Sequence, residues 1–187
     1  CNDGTLLSQV PVEFDTVGID PCEDSFVKES KKHANEIIQD YFSYNAWKRT
    51  AYGLDNKKAN VITTIAMFYD LMDPKPFIED IKKVLDDDGV WVLQLSYTPL
   101  MIEQLAFDNI CHEHAYYYSL NSLEKLFWKN GLKIVDCSLN DVNGGSFRVY
   151  AQKKDAKIES FGTGPLRDVC KFRMQSLKEY ENKYIDI

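Results

Sequence analysis

At 187 residues and 44% apolar content, the chain is long enough to bury a core and to make one domain, with at most the start of a second. Its net charge of −7, with lysines scattered among acids, leaves no basic stripe to track a phosphate backbone. Its longest apolar runs, such as 90–95, are far shorter than the roughly 20 residues that cross a bilayer, so neither nucleic acid nor membrane is an expected partner.

The same reading makes the chain a soluble, cytoplasmic globular protein, because its start lacks the basic-then-apolar order of a signal peptide. The five cysteines, Cys1, Cys22, Cys111, Cys137 and Cys170, are far apart and include no Cys-x-x-Cys pair, so they read as reduced thiols. The chain opens on Cys1 in what reads as a loop and ends just after a helical pattern, which suggests a fragment.

Residues 2–7 form a polar turn running into a helix, the turn that follows a strand in nucleotide-binding α/β folds; that strand would precede residue 1. The run 16–21 is a short strand ending in Asp20-Pro21, which places a carboxylate where ribose hydroxyls are bound. A polar helix over 25–33, a strand over 36–40 and a helix over 45–54 follow. The Val-, Ile- and Thr-rich run 59–68 is expected to be a central parallel strand buried on both faces.

Asp73-Pro74 caps and opens a helix that Gly89 is expected to end, and 90–95 is the next strand. Thr98-Pro99 is read as a second cap and first-turn pair, opening a helix through Phe107. Asn121-Ser122-Leu123-Glu124 fits a capping box for a helix that stops at Gly131. Residues 132–139 and 146–152 are two strands joined through Asn143-Gly144-Gly145, with Phe147, Val149 and Ala151 on the buried face of the second.

Five strand-helix alternations followed by an antiparallel hairpin is the order of a Rossmann-like class I methyltransferase sheet: an α/β fold, mostly parallel and twisted, with helices on both faces and its first strand missing. A core over 1–155 and a charged helical linker over 156–187 leading toward a further domain are expected.

The stretch Asp108–Ser119 carries two of the three histidines, the Glu113 carboxylate between them, and tyrosines 116, 117 and 118. A neutral imidazole beside a carboxylate suits removal of a proton from carbon or oxygen. The same residues also fit an ordinary surface loop, or two metal ligands on one side of a strand with a third ligand unplaced.

With these pieces in hand, the chain resembles the S-adenosylmethionine-dependent C-methyltransferases of nucleotide-linked deoxysugars. The resemblance lies in the cofactor-type loop 2–7, the turn Gly18-Ile19-Asp20-Pro21, the His112-Glu113-His114 signature, and Asn143-Gly144-Gly145-Ser146-Phe147-Arg148-Val149-Tyr150.

It implies S-adenosylmethionine as cofactor and S-adenosylhomocysteine as product, with Asn2, Asp3, Gly4, Thr5, Asp20, Pro21, Asp40 and Tyr41 as cofactor residues. It also implies a small-molecule partner, a nucleotide-linked 4-keto sugar, met by Tyr116, Asn143, Ser146 and Arg148. His114 is then the base, Glu113 holds or polarises it, and His112 orients substrate or steadies the enolate oxygen. Zinc is implied only for a separate N-terminal domain of the family, and no metal is expected in this chain.

The chain departs from the family in two places. Cys111 stands where a tyrosine commonly precedes His-Glu-His, and a thiol is a weaker donor than a phenol. Residues 66–71 are a variant of the segment after the fourth strand of the complete fold. A nicotinamide-dependent dehydrogenase would use Asp20 equally well, but the terminal hairpin and the missing Gly-x-x-Gly spacing argue against it. An O-methyltransferase and a non-catalytic sugar-nucleotide-binding domain are the alternatives on the same fold.

Overall fold

The strand-helix alternation is present and is distributed over two units, Cys1–Lys58 and Ala59–Ile187, each with its own sheet. The computed structural model describes residues 2–142, 145–157 and 165–183.

In the first unit, β1 (Val17–Ile19) pairs in parallel with β2 (Glu36–Ile38), and α1 (Asp24–Ser30) lies between them in the chain. The helix expected over 45–54 is two short ones, α2 (Tyr44–Trp47) and α3 (Ala51–Leu54). Thr50 is the cause of the break. Its hydroxyl donates to Trp47 O at 2.7 Å and accepts the Gly53 N–H at 2.9 Å, so one buried side chain ends one helix and caps the next.

The second unit holds a four-stranded sheet in the order β3 (Ala59–Ile65), β4 (Leu85–Ser96), β6 (Ser146–Lys153), β5 (Leu132–Asn140). Strands β3, β4 and β5 run the same way and β6 is reversed, which gives the expected antiparallel hairpin of β5 and β6. The burial expected for β3 is not observed. It is the edge of this sheet, with β4 as its one described neighbour, and Val61 and Ile65 are 60% and 47% exposed.

The helices around this sheet begin and end on side-chain signals, three of which differ from the sequence reading. Asp73 caps α4 (Pro74–Val84) as expected, but the helix ends at Leu85, ahead of Gly89, because residues 85–89 already join β4 through a register shift against β3. Helix α5 (Thr98–Glu103) has Tyr97 at its N-cap, and the Thr98 hydroxyl instead donates to Tyr118 O at 2.9 Å. Helix α6 (Leu120–Lys129) has its capping box two residues earlier than expected, between Ser119 and Ser122. Gly131, at φ +83°, follows its end as expected.

The core lies on the face of the sheet that carries Trp91, Leu93 and Leu95 from β4 and Phe147, Val149 and Ala151 from β6, all at most 2% exposed. Trp91 stacks on Phe127 of α6 at 4.9 Å and meets the edge of Phe68 at 5.6 Å. Rings at these spacings contribute about 0.5–1.5 kcal/mol beyond area burial.

Phe68 is wholly buried and also contacts Phe127 and Tyr118. It therefore pins the 3₁₀ turn Phe68–Asp70 at the carboxyl end of β3. Ala66, at φ +53°, makes the bend into that turn while its N–H bonds Gln94 O.

Helix α7 (Pro165–Asn182) packs on β5 and α6. Arg173 pairs with Asp136, and Lys178 reaches Glu124 at 2.7 Å. The buried Glu181 carboxylate accepts from the Tyr97 hydroxyl and from the N–H groups of Leu120 and Asn121, so a residue of α7 caps α6.

Candidate active site

Parallel strands expose their loops at their carboxyl ends, where ligands of open α/β sheets bind. In the first unit the cofactor candidates meet there. Asp20 follows β1 and Asp40 follows β2, and the N–H groups of both residues bond Ile38 O at 3.1 Å. The turn at residues 2–5 is fastened to Asp20. Asn2 N–H donates to Asp20 Oδ2 at 2.9 Å, and Asp20 Oδ1 accepts the Cys22 N–H at 3.0 Å.

Asp3 accepts the Thr5 N–H at 3.0 Å and the Thr5 hydroxyl at 2.8 Å, and these two bonds hold its carboxyl below the usual range. Gly4 sits at φ +84°, where an added Cβ would come within 2.8 Å of Ser30 Cα, so no other residue fits without displacing α1. Asp40 is partly engaged locally, by Arg49 at 2.5 Å and by the Tyr41 N–H at 2.8 Å. The Tyr41 ring is 76% exposed and Pro21 is exposed. Carboxylates after both strands and an open aromatic face are groups that suit ribose hydroxyls and a flat base.

In the second unit the His-Glu-His stretch lies over the 3₁₀ turn after β3. Tyr116 N–H donates to Tyr69 O at 3.1 Å and the Tyr116 hydroxyl donates to Met72 O at 3.2 Å. The root of the stretch is held by Asn109, which is buried and accepts the Ser96 hydroxyl at 3.2 Å. Its far end is held by Tyr118, whose carbonyl takes the Thr98 N–H at 3.1 Å.

His114 is half-buried with its ring 4.2 Å from that of Tyr69, and Tyr117 lies edge-on to it at 6.1 Å. His112 and Glu113 are exposed, and neither side chain makes a hydrogen bond among the described residues. Of the three candidate catalytic residues, only His114 is thus packed into a defined surrounding.

Sequence reasoning assigned no role to Tyr69 or Asp70. Burial raises Asp70 above its ordinary value; the charge of His114 opposes this and that of Glu113 adds to it. Burial, with Asp70 and Cys111 adding, likewise raises Tyr69. The available signal was positional: residues 66–71 directly follow a strand in a parallel pair.

Of the substrate candidates, Asn143 lies outside the described residues. Ser146 is buried and its hydroxyl donates to Val142 O at 2.8 Å. Exposed Arg148 donates through Nε and Nη2 to Gln94 Oε1 at 3.0 and 2.8 Å. The Tyr116 hydroxyl is committed to Met72 O. Among the described residues no three His, Cys, Asp or Glu side chains are grouped as a metal ion requires. No described helix is long and apolar enough to cross a membrane.

The model of a methyltransferase domain matches residues 1–136. The chain belongs to that methyltransferase family. Its architecture is that of the class I S-adenosylmethionine-dependent enzymes. The N-methyltransferase NodS from Bradyrhizobium japonicum is similar over 82% of each chain, at 14% identity and TM-score 0.55. The plantazolicin methyltransferase BpumL, solved with S-adenosylhomocysteine, is similar over 82% of this chain and 74% of its own, at 15% identity and TM-score 0.57.

A curated relative, the C-methyltransferase NovU of Streptomyces niveus, is 30% identical over 145 residues, which is 76% of this chain. The chain spans 33% of the length of that relative.

Proposed function

We propose that this methyltransferase domain serves C-methylation of a nucleotide-linked 4-keto deoxysugar at a carbon next to the ketone, with His114 as the base. The observation that carries the reading is the docked His-Glu-His stretch. It holds a half-buried imidazole against Tyr69, in a chain related to a protein named a C-methyltransferase.

S-adenosylmethionine supplies an electrophilic sulfonium methyl when bound. Asn2, Asp3, Gly4 and Thr5 shape its loop, Asp20 and Pro21 serve the ribose, and Asp40 and Tyr41 serve the adenine. His114 accepts the proton lost from the carbon beside the ketone, and the electron pair left behind is delocalised onto the ketone oxygen. Glu113 holds or polarises the imidazole, and Asp70 lies on the same turn as Tyr69, which packs against that ring. Arg148, held by Gln94, offers a cation to the anionic nucleotide end of the substrate. Tyr116, Ser146 and Asn143 shape the sugar end.

Calorimetric titration of the full-length protein with S-adenosylhomocysteine tests the cofactor. Incubation of 4-keto sugar nucleotides with S-adenosylmethionine, read by mass and then by NMR, tests the acceptor atom. Binding with one methyl on carbon supports the reading; a methyl on oxygen makes the protein an O-methyltransferase. His114→Ala is expected to abolish transfer while leaving S-adenosylhomocysteine affinity within about twofold. Retained turnover would remove His114 from the base role.

A further inference from the structure

Removing a proton beside a ketone puts negative charge on the ketone oxygen, and a base alone does not hold that charge. A positioned hydrogen-bond donor is needed, and in a protected site one such donor is worth about 10²–10³-fold in rate. The residue before His-Glu-His is Cys111, a weak donor.

Four tyrosines lie in or against the loop, and their hydroxyls are in different situations. That of Tyr116 donates to Met72 O at 3.2 Å, and that of Tyr117 reaches Asn109 O at 3.5 Å. That of Tyr118 is enclosed in the core, on a ring packed against Phe68 and Tyr116. Tyr69 differs from all three. Its ring is 8% exposed and lies 4.2 Å from the His114 ring, its carbonyl is fixed by the Tyr116 N–H, and its hydroxyl makes no hydrogen bond among the described residues.

We propose that the Tyr69 hydroxyl is the hydrogen-bond donor that holds the ketone oxygen as His114 removes the neighbouring proton. The inference rests on the base reading of His114. When the C–H bond breaks, its proton passes to the imidazole and its electron pair forms a carbon–carbon double bond. The C=O π pair moves onto oxygen, where the Tyr69 O–H donates without transferring its proton. The carbon–carbon π pair then takes the sulfonium methyl as its bond to sulfur breaks and S-adenosylhomocysteine leaves, while the oxygen pair re-forms the C=O bond and Tyr69 is left unchanged.

The placement suits the task in two ways. Phe68, wholly buried one residue before, fixes the backbone from which Tyr69 projects. Burial and the neighbouring Asp70 hold the phenol protonated, as a neutral donor must be. No hydroxyl among residues 116–118 combines contact with His114 and freedom from a protein acceptor.

The test separates proton removal from methyl transfer. The full-length protein is incubated in D₂O with S-adenosylhomocysteine and a nucleotide-linked 4-keto deoxyhexose, and deuterium entry beside the ketone is followed by NMR. Wild-type exchange that His114→Ala abolishes upholds the base reading. Absence of wild-type exchange, or exchange that survives His114→Ala, overturns that reading and the inference with it.

With the base reading upheld, Tyr69→Phe decides the donor. It removes one oxygen and keeps the ring on His114. Exchange and kcat are expected to fall about 10²-fold, with melting temperature and S-adenosylhomocysteine affinity unchanged. A Tyr69→Phe protein exchanging within about threefold of wild type refutes the assignment, as does an equal loss of thermal stability. A large loss in His112→Ala with none in Tyr69→Phe would place the donor at His112.

Discussion

Glu181→Ala is the perturbation with the most direct structural consequence. Glu181 is 3% exposed, and its carboxylate accepts from the Tyr97 hydroxyl at 2.8 Å, from Asn121 N–H at 2.9 Å and from Leu120 N–H. Hydrogen bonds to a charged acceptor are worth roughly 1.5–3 kcal/mol each, and an acid at a helix N-terminus adds up to about 2 kcal/mol in a buried setting. Against this stands the cost of burying the carboxylate, several kcal/mol. Alanine leaves the Tyr97 hydroxyl without an acceptor in the core, whereas water can reach the two N–H groups in part. The expected net loss is about 3 kcal/mol. Glutamine keeps one acceptor and should lose about half of that. The assay is urea unfolding followed by tryptophan fluorescence, since Trp91 stacks on Phe127 of the same helix. With a slope of about 2 kcal/mol/M, the alanine midpoint falls by about 1.5 M. Hydrogen exchange should quicken first at Leu120 and Asn121. A loss below about 1 kcal/mol, or a Glu181→Ala/Tyr97→Phe double variant whose effects simply add, would show that α7 does not cap α6 through this carboxylate.

Gly4→Ala forces a side chain into positive φ and against Ser30 Cα, so it should destabilise the first unit by about 1–2 kcal/mol. The same variant should weaken S-adenosylhomocysteine at least tenfold, and unchanged affinity by calorimetry would dissociate the turn from the cofactor. Iodoacetamide at pH 8 should label Cys22 and Cys111, which are half-buried, and leave Cys137, whose thiol burial and Asp136 push up to about 12. Cys170 is buried and should also resist, so labelling of either in the folded protein by mass spectrometry would contradict this packing. Asp70→Asn should change stability with a definite sign. The Asp70 carboxyl is raised, so its contribution to stability is full below the unfolded carboxylate value and is lost as pH rises through the folded one. The asparagine variant should therefore melt at or above wild type at neutral pH, by no more than about 1 kcal/mol after solvent screening, with the gap closing near pH 4. A gap that widens on acidification would reverse the assignment.

Much of the architecture was legible because its signals are local. Asp73 before Pro74, Gly131 after a helical stripe and the alternation of Phe147, Val149 and Ala151 each report on a few neighbouring residues, and each element is present at that place. The misreadings arose where a distant partner decides the outcome. The Thr98 hydroxyl looked like a cap but serves Tyr118 O, a contact across 20 residues. The helix before Gly89 ends early because Leu85 already pairs with Ala59 of β3.

The candidate active site divides along the same line. His112, Glu113 and His114 stand out by residue type, so sequence alone singles them out. Tyr69 and Asp70 are ordinary residues in a short turn, and nothing in their spacing marks them. They matter because Phe68 anchors that turn in the core and Tyr116 N–H ties the histidine stretch down onto Tyr69 O. Composition reveals the chemistry on offer, whereas the partner that orients it becomes visible only when two segments more than 40 residues apart in the sequence are joined by a backbone hydrogen bond and a ring contact. Substituting Phe68 should therefore damage the site as well as the core. Phe68→Ala is expected to cost about 3–5 kcal/mol and, in whatever fraction remains folded, to loosen Tyr69 from His114.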